Sequence, residues 1–274
     1  MQSPDASGAG ALAGLGLIGG HLWAVGHGAQ IYRRSGSHRW DKIPFTKTPK
    51  LGFEVVRFGR IVSTNIDDIY VSGVSFPMKV KIDKKTREEL RESRSWDDWD
   101  RAYELARKNA PSKGLSTEGR AYHWNGEAWT EIPLPGSSPY VIKDIFIETP
   151  DRVWMVGSRG TILVGNARSG FSNVGFAGDT ETLLSIIRFK DKYIVASDYA
   201  LHIFDGHHLT PLKPRLRRRG GAPTPLRVQA VHDVLFYFDY KLGVHRFDGN
   251  RWEEIPIPPE LLARDFRGLV GRGP

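Results

Sequence analysis

Two stretches of the sequence carry side chains of the kinds that recognise other molecules. Residues 95–108 space aromatic side chains by three and four positions and set carboxylates beside them, at Trp96, Asp97, Trp99, Asp100 and Tyr103. Residues 213–221 gather arginines between prolines and glycines, at Arg215, Arg217, Arg218 and Arg219. Because aromatic anchors carry much of the binding energy of protein interfaces and basic runs attract acidic surfaces, we predict that these residues bind a partner.

Both stretches also have a purely structural explanation. Residues 95–108 have the features of a helix, with Ser95 as N-cap, acidic residues in the first turn, and Arg107 and Lys108 in the last. An apolar stripe on such a helix most often packs against its own domain. A basic run flanked by glycine and proline is often a solvated linker. The sequence leaves both explanations open.

The sequence contains no catalytic motif in the structural context that its chemistry requires. Residues 14–19 spell G-x-G-x-x-G, but the strand-like run 22–25 follows them, where dinucleotide binding needs a helix N-terminus. We interpret these glycines as part of the inner strand of the first repeat, in a crowded centre. There is no H-E-x-x-H motif, and residues 157–160 do not match G-x-S-x-G. We therefore predict a protein that is not an enzyme and has no catalytic, cofactor-binding or metal-binding residues.

Composition narrows the class of protein. The chain has 274 residues, no cysteine and a formal net charge of +8 at pH 7. Without cysteine there are no disulfides, thiolate metal sites or cysteine nucleophiles. No apolar run reaches the length of a membrane span, and the first residues lack the basic region of a signal peptide. We expect a cytoplasmic monomer without a cofactor, whose partner is another protein with an acidic surface.

The elements that must position these residues follow from an internal repeat. A Trp-x-x-Ile-Pro phrase begins at Trp40, Trp129 and Trp252, and the last two tryptophans are 123 residues apart, which is three times 41. Phe171 and Leu209 take the place of tryptophan in two degenerate copies between them. A repeat of about forty residues is typical of β-propeller blades.

Each repeat predicts four short antiparallel strands. Runs rich in β-branched and aromatic residues, such as residues 153–157 and 193–197, are bounded by Gly, Asp and Ser. Asn125-Gly126, Asp205-Gly206 and Asp248-Gly249 predict type I′ hairpin turns before the outermost strand. We predict an all-β fold, with one β-propeller domain over residues 1–274 and five four-stranded blades, or six if residues 258–270 add strands.

The strand motifs resemble those of known propellers. The repeated four-stranded unit resembles the blades of WD-repeat and Asp-box propellers, and residues 126–129 and 249–252 match the Gly-x-x-Trp end of the Asp-box. The Trp-x-Val-Gly strands at 23–26 and 154–157, together with the Gly-x-x-Trp-x-x-Ile-Pro strands, resemble those of bacterial polymorphic-toxin immunity proteins. That resemblance implies a non-catalytic protein that binds a cognate toxin domain and neutralises it by covering its active site, in interbacterial competition.

One interval is too long for the repeat. Trp40 and Trp129 are 89 residues apart, and the surplus falls between residues 74 and 118, which predicts a helical insertion in the second blade. In an up-and-down blade, the turn between the second and third strands lies on the same face as the connection to the next blade. The insertion and the basic loop at 213–221 should therefore share one face, which we predict to be the interaction surface.

Three other functions stay open at this stage. A generic protein-interaction scaffold needs nothing beyond the fold. A carbohydrate-binding or glycosidase-like propeller needs charged side chains on the inner strands, where the sequence offers Lys143, Asp144, Arg188 and Arg227. Nucleic-acid binding through residues 215–219 would be strongly salt-dependent, and we rank it below a protein partner.

Overall fold

Five four-stranded antiparallel sheets form the part of the chain that the structure describes. The structure is a computed structural model, described here for residues 12–45, 54–77, 118–136, 140–175, 181–198, 200–212, 225–239 and 243–256. Each sheet takes its four strands in chain order, and the first strands of consecutive sheets lie side by side. The predicted all-β, five-bladed propeller is therefore confirmed.

The strands are numbered in chain order, four to a blade. Blade 1 contains β1 (Leu12–Ile18), β2 (His21–Gly26), β3 (Ile31–Arg34) and β4 (Trp40–Lys42). Blade 2 contains β5 (Glu54–Asn65), β6 (Asp68–Pro77), β7 (Glu118–Trp124) and β8 (Trp129–Glu131). Blade 3 contains β9 (Ile142–Thr149), β10 (Arg152–Gly157), β11 (Ile162–Asn166) and β12 (Gly170–Asn173). Blade 4 contains β13 (Leu183–Phe189), β14 (Lys192–Ser197), β15 (Leu201–Phe204) and β16 (Leu209–Leu212). Blade 5 contains β17 (Pro225–Val231), β18 (Val234–Asp239), β19 (Gly243–Phe247) and β20 (Trp252–Ile255).

The repeated tryptophan marks the outermost strand of a blade, as the spacing predicts. Trp40, Trp129 and Trp252 each begin such a strand, Leu209 begins β16, and Phe171 is the second residue of β12. The substitutions by Phe and Leu are tolerated because what the position requires is apolar surface. Phe171 packs in the cluster between blades 2 and 3, and Leu209 packs against the cluster between blades 3 and 4.

The turns before the outermost strands differ from the predicted type I′ geometry. In a type I′ turn both central residues have positive φ, but here only the glycines do, with φ values of 93° at Gly126 and 101° at Gly206. The Oδ1 atom of Asp205 accepts hydrogen bonds from the backbone N–H groups of His207 and His208, at 2.8 and 2.7 Å. Asn125, Asn166 and Asp248 make the same pair of contacts. These are side-chain-capped turns, in which the Asn or Asp oxygen replaces a backbone acceptor.

Apolar clusters fill the interfaces between consecutive blades. Trp23 and Val25 of blade 1 pack with Phe58 and Ile61 of blade 2. Corresponding clusters join blades 2 and 3, blades 3 and 4, and blades 4 and 5. Since full burial of one large apolar side chain contributes about 1.5–3 kcal/mol, these four interfaces supply most of the stabilisation of the fold.

One face of β1 is more exposed to solvent than the corresponding face of the other four inner strands. Leu12, Leu15 and Leu17 are 45%, 44% and 47% exposed, whereas the residues that match Leu15 in register are at most 3% exposed: Ile61, Ile145, Ile186 and Val228. Among the described residues, no fifth apolar cluster joins blade 5 to blade 1.

The interruption of blade 2 is shorter than the predicted 74–118. Strand β6 continues to Pro77 because residues 74–77 keep pairing with β5, and Glu118 already belongs to β7, where it pairs with Ser75. Residues 78–117 lie outside the described residues, so the helical insertion stays a prediction. Within the described ranges the structure has no helix, and hence none long and apolar enough to cross a membrane.

Candidate binding site on the propeller axis

Every inner strand carries a β-bulge at the same register. At this register the pairing of each inner strand with its neighbour skips one residue, and the skipped residues are Ala13, Gly59, Lys143, Leu184 and Leu226. A bulge adds one residue to one strand and turns the side chains that follow it. The bulges therefore reset which side chains face the centre of the propeller at one level in all five blades.

The residues directly after the bulges form what we call the axial ring: Gly14, Arg60, Asp144, Ser185 and Arg227. The side chains from blades 2, 3, 4 and 5 meet, and Arg227 of blade 5 contacts Asp144 of blade 3, although these blades are not consecutive. Only the centre of a propeller brings such blades together, so this meeting point lies on the axis.

Asp144 is the hub of the axial ring. Its Oδ2 accepts hydrogen bonds from the Ser185 hydroxyl at 2.8 Å and from the Ile186 backbone N–H at 3.2 Å. Its Oδ1 lies 2.8 Å from Arg60 Nε and accepts a hydrogen bond of 3.4 Å from Arg227 Nη2. The Asp144 side chain is only 4% exposed, and these partners offset the cost of burying its charge.

Among the described residues that meet at this level, cations outnumber carboxylates. Two guanidinium groups share one carboxylate, and Arg57 lies close enough to Lys143 for its charge to act on that lysine. Burial lowers the pKa of Arg60, the nearby charge of Arg227 lowers it further, and Asp144 opposes both effects. Desolvation by the surrounding protein is the main cause that lowers the pKa of Lys143, and the positive charge of Arg57 lowers it further. The axis therefore holds cations that gain from an additional anion.

Blade 1 contributes backbone to the axis in place of a charged group. A Cβ atom on Gly14 would lie 2.6 Å from the carbonyl oxygen of Gly59, and one on Gly16 would lie 2.9 Å from that of Ile61. Glycine is required here because β1 and β5 approach so closely. The interpretation of the G-x-G-x-x-G run as a crowded inner strand is confirmed, since residues 12–18 form β1 and another strand follows.

The axial ring lies near one face of the disc. We call the face on which the inner strands begin the entry face, and the opposite one the exit face. Asp144 and Arg227 are the third residues of β9 and β17, so they lie toward the entry face. Strand topology places the ends of β6 and β16 and the beginnings of β7 and β17 on the same face. These strand ends flank residues 78–117 and 213–224, which contain the nine residues predicted to bind a partner.

A second charged cluster lies toward the exit face. Glu148, near the end of β9, accepts hydrogen bonds from the Tyr193 hydroxyl at 2.7 Å and from Trp154 Nε1 at 3.1 Å. Arg188 Nη1 lies 2.6 Å from its Oε1, and Arg152 Nε lies 3.3 Å from its Oε2. Burial by itself would raise the pKa of Glu148, but these two hydrogen bonds and the arginine charges bring it below its usual range.

The structure separates the charged residues that the sequence offers on the inner strands. Lys143, Asp144 and Arg227 lie near the entry face as one group, whereas Arg188 belongs to the Glu148 cluster. The sequence analysis does not identify Arg60 and Ser185. A repeated signal does exist, because a polar residue followed by Ile or Val recurs in four inner strands, at residues 60–61, 144–145, 185–186 and 227–228.

The nine residues predicted to bind a partner lie outside the described residues. These are Trp96, Asp97, Trp99, Asp100, Tyr103, Arg215, Arg217, Arg218 and Arg219. Their role stays a prediction. In the part of the chain that the structure describes, no group of three or more metal-ligating side chains gathers at one point.

Comparison with known proteins finds the fold and no family. No protein-family profile matches the chain, and no curated protein matches its sequence. The solved structure of YCF48 bound to D1 peptide matches with a TM-score of 0.54 and 14% identity, over 93% of this chain and 69% of that chain. YCF48 from Cyanidioschyzon merolae matches with a TM-score of 0.53 and 15% identity, over 88% of this chain and 68% of that chain.

This chain is also similar to part of a third, much longer solved structure. It is an extracellular domain assigned to a hybrid two-component system of B. thetaiotaomicron, with a TM-score of 0.53 and 14% identity, over 89% of this chain and 28% of that chain. At these identities the three likenesses show the propeller fold and nothing finer.

Proposed function

We propose that the chain is a non-catalytic protein-binding β-propeller that presents its entry face to an acidic partner. The observation that carries the proposal is the axial ring, in which Arg60 and Arg227 share one carboxylate near that face. Lys143 precedes Asp144 in β9, and the charge of Arg57 acts on it. A rigid disc with an excess of positive charge at its centre attracts and orients an acidic partner.

Two further observations support a protein partner. YCF48, which has the same fold, has been solved with a D1 peptide bound. The strand ends that flank the two predicted binding stretches share the entry face with the axial ring, so one partner at that face can contact both the strand ends and the ring. Long connections on a rigid scaffold are common binding elements.

We propose further that the partner is a bacterial toxin domain, which this protein neutralises in the cytoplasm by covering its active site. The support is the motif-level resemblance to toxin immunity proteins and the net charge of +8. A generic interaction scaffold is the alternative, and it uses the same face. The two differ in whether binding abolishes an activity of the partner.

The carbohydrate alternative gains no support from the described axis. Glycosidase chemistry needs two carboxylates across the sugar. The axial ring contains one, Asp144, and both of its oxygens are engaged by protein donors.

The binding face can be tested by isolating the partner from the native host and mapping the contact by hydrogen exchange. We expect slowed exchange in residues 141–144 and 225–228, at the beginnings of β9 and β17. Protection of the exit-face turns at residues 205–208 and 248–251, with no change at the entry face, would contradict the proposal.

The immunity role needs a functional readout. Expression of the partner alone should arrest bacterial growth, and co-expression of this chain should restore it. A partner that binds without arresting growth would leave the scaffold function and remove the immunity function.

A further inference from the structure

The axial ring has more hydrogen-bond donors than Asp144 can use. An arginine side chain carries five N–H donors in a planar fork. Arg60 approaches Asp144 through Nε and Arg227 through Nη2, and both contacts fall on the same oxygen, Oδ1. The Ser185 hydroxyl and the Ile186 N–H take the other oxygen. Within the described part of the chain, the carboxylate is therefore saturated, whereas each guanidinium group keeps further donors.

Arg60 contacts Asp144 through Nε alone, which lies 2.8 Å from Oδ1. Among the contacts of the described residues, no carboxylate faces its two Nη groups. The side chains of Arg60 and Arg227 are 25% and 27% exposed, so a ligand can reach them. A desolvated guanidinium with an uncommitted fork is suited to a second anion.

We propose that Arg60 and Arg227 bind a carboxylate carried by an extended acidic segment of the partner, with Lys143 contacting the same segment at the entry face. This inference rests on the proposed protein-binding function and names the chemistry that its central site recognises. A carboxylate matches the planar fork of arginine through two parallel hydrogen bonds. It also offsets the mutual repulsion of two arginines that share a single counter-ion.

The arrangement favours an acidic peptide over nucleic acid. A phosphodiester chain is bound by cations that follow it along a groove, often with aromatic side chains stacked on the bases. Here the cations converge on one point of the axis, where the inner strands of four blades meet. Such a site accepts one charged group at the tip or side of a peptide.

The test uses the full chain and three fluorescent peptides. Acetyl-hexaglutamate amide offers side-chain carboxylates, acetyl-hexaglutamine with a free C-terminus offers one terminal carboxylate, and acetyl-hexaglutamine amide offers none. Binding is measured by fluorescence anisotropy at low and physiological salt. We expect one of the first two peptides to bind at least about tenfold more tightly than the third, and the stronger one identifies the source of the carboxylate.

Three variants with equal loss of charge locate the site. Arg227→Gln and Lys143→Gln remove a cation near the entry face, and Arg188→Gln removes one near the exit face. We expect the first two to weaken binding by about fivefold or more and the third to leave it unchanged. If Arg227→Gln fails to fold in a thermal unfolding control, Lys143→Gln still decides the matter, since its side chain is exposed.

Several outcomes overturn the inference. These are equal affinity for the three peptides, equal weakening by all three variants, and tighter binding of an oligothymidylate than of hexaglutamate. The proposed function fails separately, when no partner contacts the entry face. A native partner that binds equally to wild type, Arg227→Gln and Lys143→Gln overturns the carboxylate site and leaves the function standing.

Discussion

Asp144 and Glu148 lie four residues apart on one strand and each holds two arginines, yet their surroundings differ. Asp144 lies where four blades meet, and its arginines are about one quarter exposed. Glu148 lies between blades 3 and 4, and the side chains of Arg152 and Arg188 are 53% and 51% exposed. The same residue types thus form an enclosed cluster near the entry face and an open one near the exit face.

The difference shows how the position of a charged residue along one strand determines how much its ion pairs contribute to stability. Ion pairs between well-exposed groups contribute about 0–1 kcal/mol, because water and salt screen them. Removal of one partner from a buried pair costs several times more, because the remaining charge stays desolvated. Substitutions at the two ends of β9 should therefore differ in size although the contacts look alike.

Replacement of the hub residue should give the largest effect. Asp144→Ala leaves Arg60 and Arg227 close together without their shared carboxylate. We expect the free energy of unfolding to fall by about 3 kcal/mol, near the lower end for buried pairs because the arginines keep some contact with water. Urea unfolding followed by tryptophan fluorescence measures this loss, and a decrease below about 1 kcal/mol would show that the axial ring is not buried enough to matter.

Loss of a neutral partner of Asp144 should have the next largest effect. Ser185→Ala removes the hydroxyl that donates to Oδ2 at 2.8 Å, in a residue that is fully buried. We expect a loss of about 2 kcal/mol, in the range for hydrogen bonds to charged groups. Ser172→Ala, in the exposed part of β12, is a matched control that should change stability by less than about 0.5 kcal/mol.

Glu148→Gln should cost about 1 kcal/mol at neutral pH, because the amide keeps an acceptor for Tyr193 but loses the charge facing two arginines. The pKa of Glu148 is below its usual range in the folded state, so its charge stabilises the fold above the unfolded pKa of about 4.3. That contribution is lost as the pH falls through the folded pKa. The gap in stability between wild type and variant should therefore close below about pH 4, and a constant gap would contradict this account.

The smallest effect belongs to the exposed arginine at the exit face. Arg188→Gln removes one of the two arginines of Glu148, and half of its side chain is in solvent. We expect a loss of at most about 0.5 kcal/mol, which should disappear in high salt. Thermal unfolding at two salt concentrations measures it. A loss as large as that of Ser185→Ala would remove the distinction between the two ends of the strand.

The sequence predicts the blades well because their signals are local. A tryptophan and the turn before it are adjacent in the chain, so each copy of the motif predicts an outermost strand independently of the other repeats. The predicted type I′ turns are wrong for a related reason. Asn-Gly and Asp-Gly fit two turn geometries, and only the backbone contacts of residues such as Asp205 tell them apart.

The axial ring is less accessible to sequence analysis. In a regular strand the apolar positions alternate, but the bulge in β5 places Phe58 and Ile61 three residues apart on one side, so the period of two is lost. The long strand around Arg60 therefore carries no clean pattern. Contacts such as that between Asp144 and Arg227, separated by 83 residues, arise only because the blades are arranged around a common axis.

The unequal packing of the blades bears on how the molecule opens. In the described residues, blades 2, 3 and 4 each have a filled interface on both sides, and blades 1 and 5 have one each. Detachment of a terminal blade breaks a single interface, while release of blade 3 breaks two, as in a linear array with nearest-neighbour coupling. Local unfolding should thus start at the outer members and reach blade 3 last. Asp144 lies in blade 3, whereas its partner Arg227 lies in blade 5. Detachment of blade 5 should therefore remove one arginine from the axial ring while the Asp144 carboxylate stays in the last blade to open.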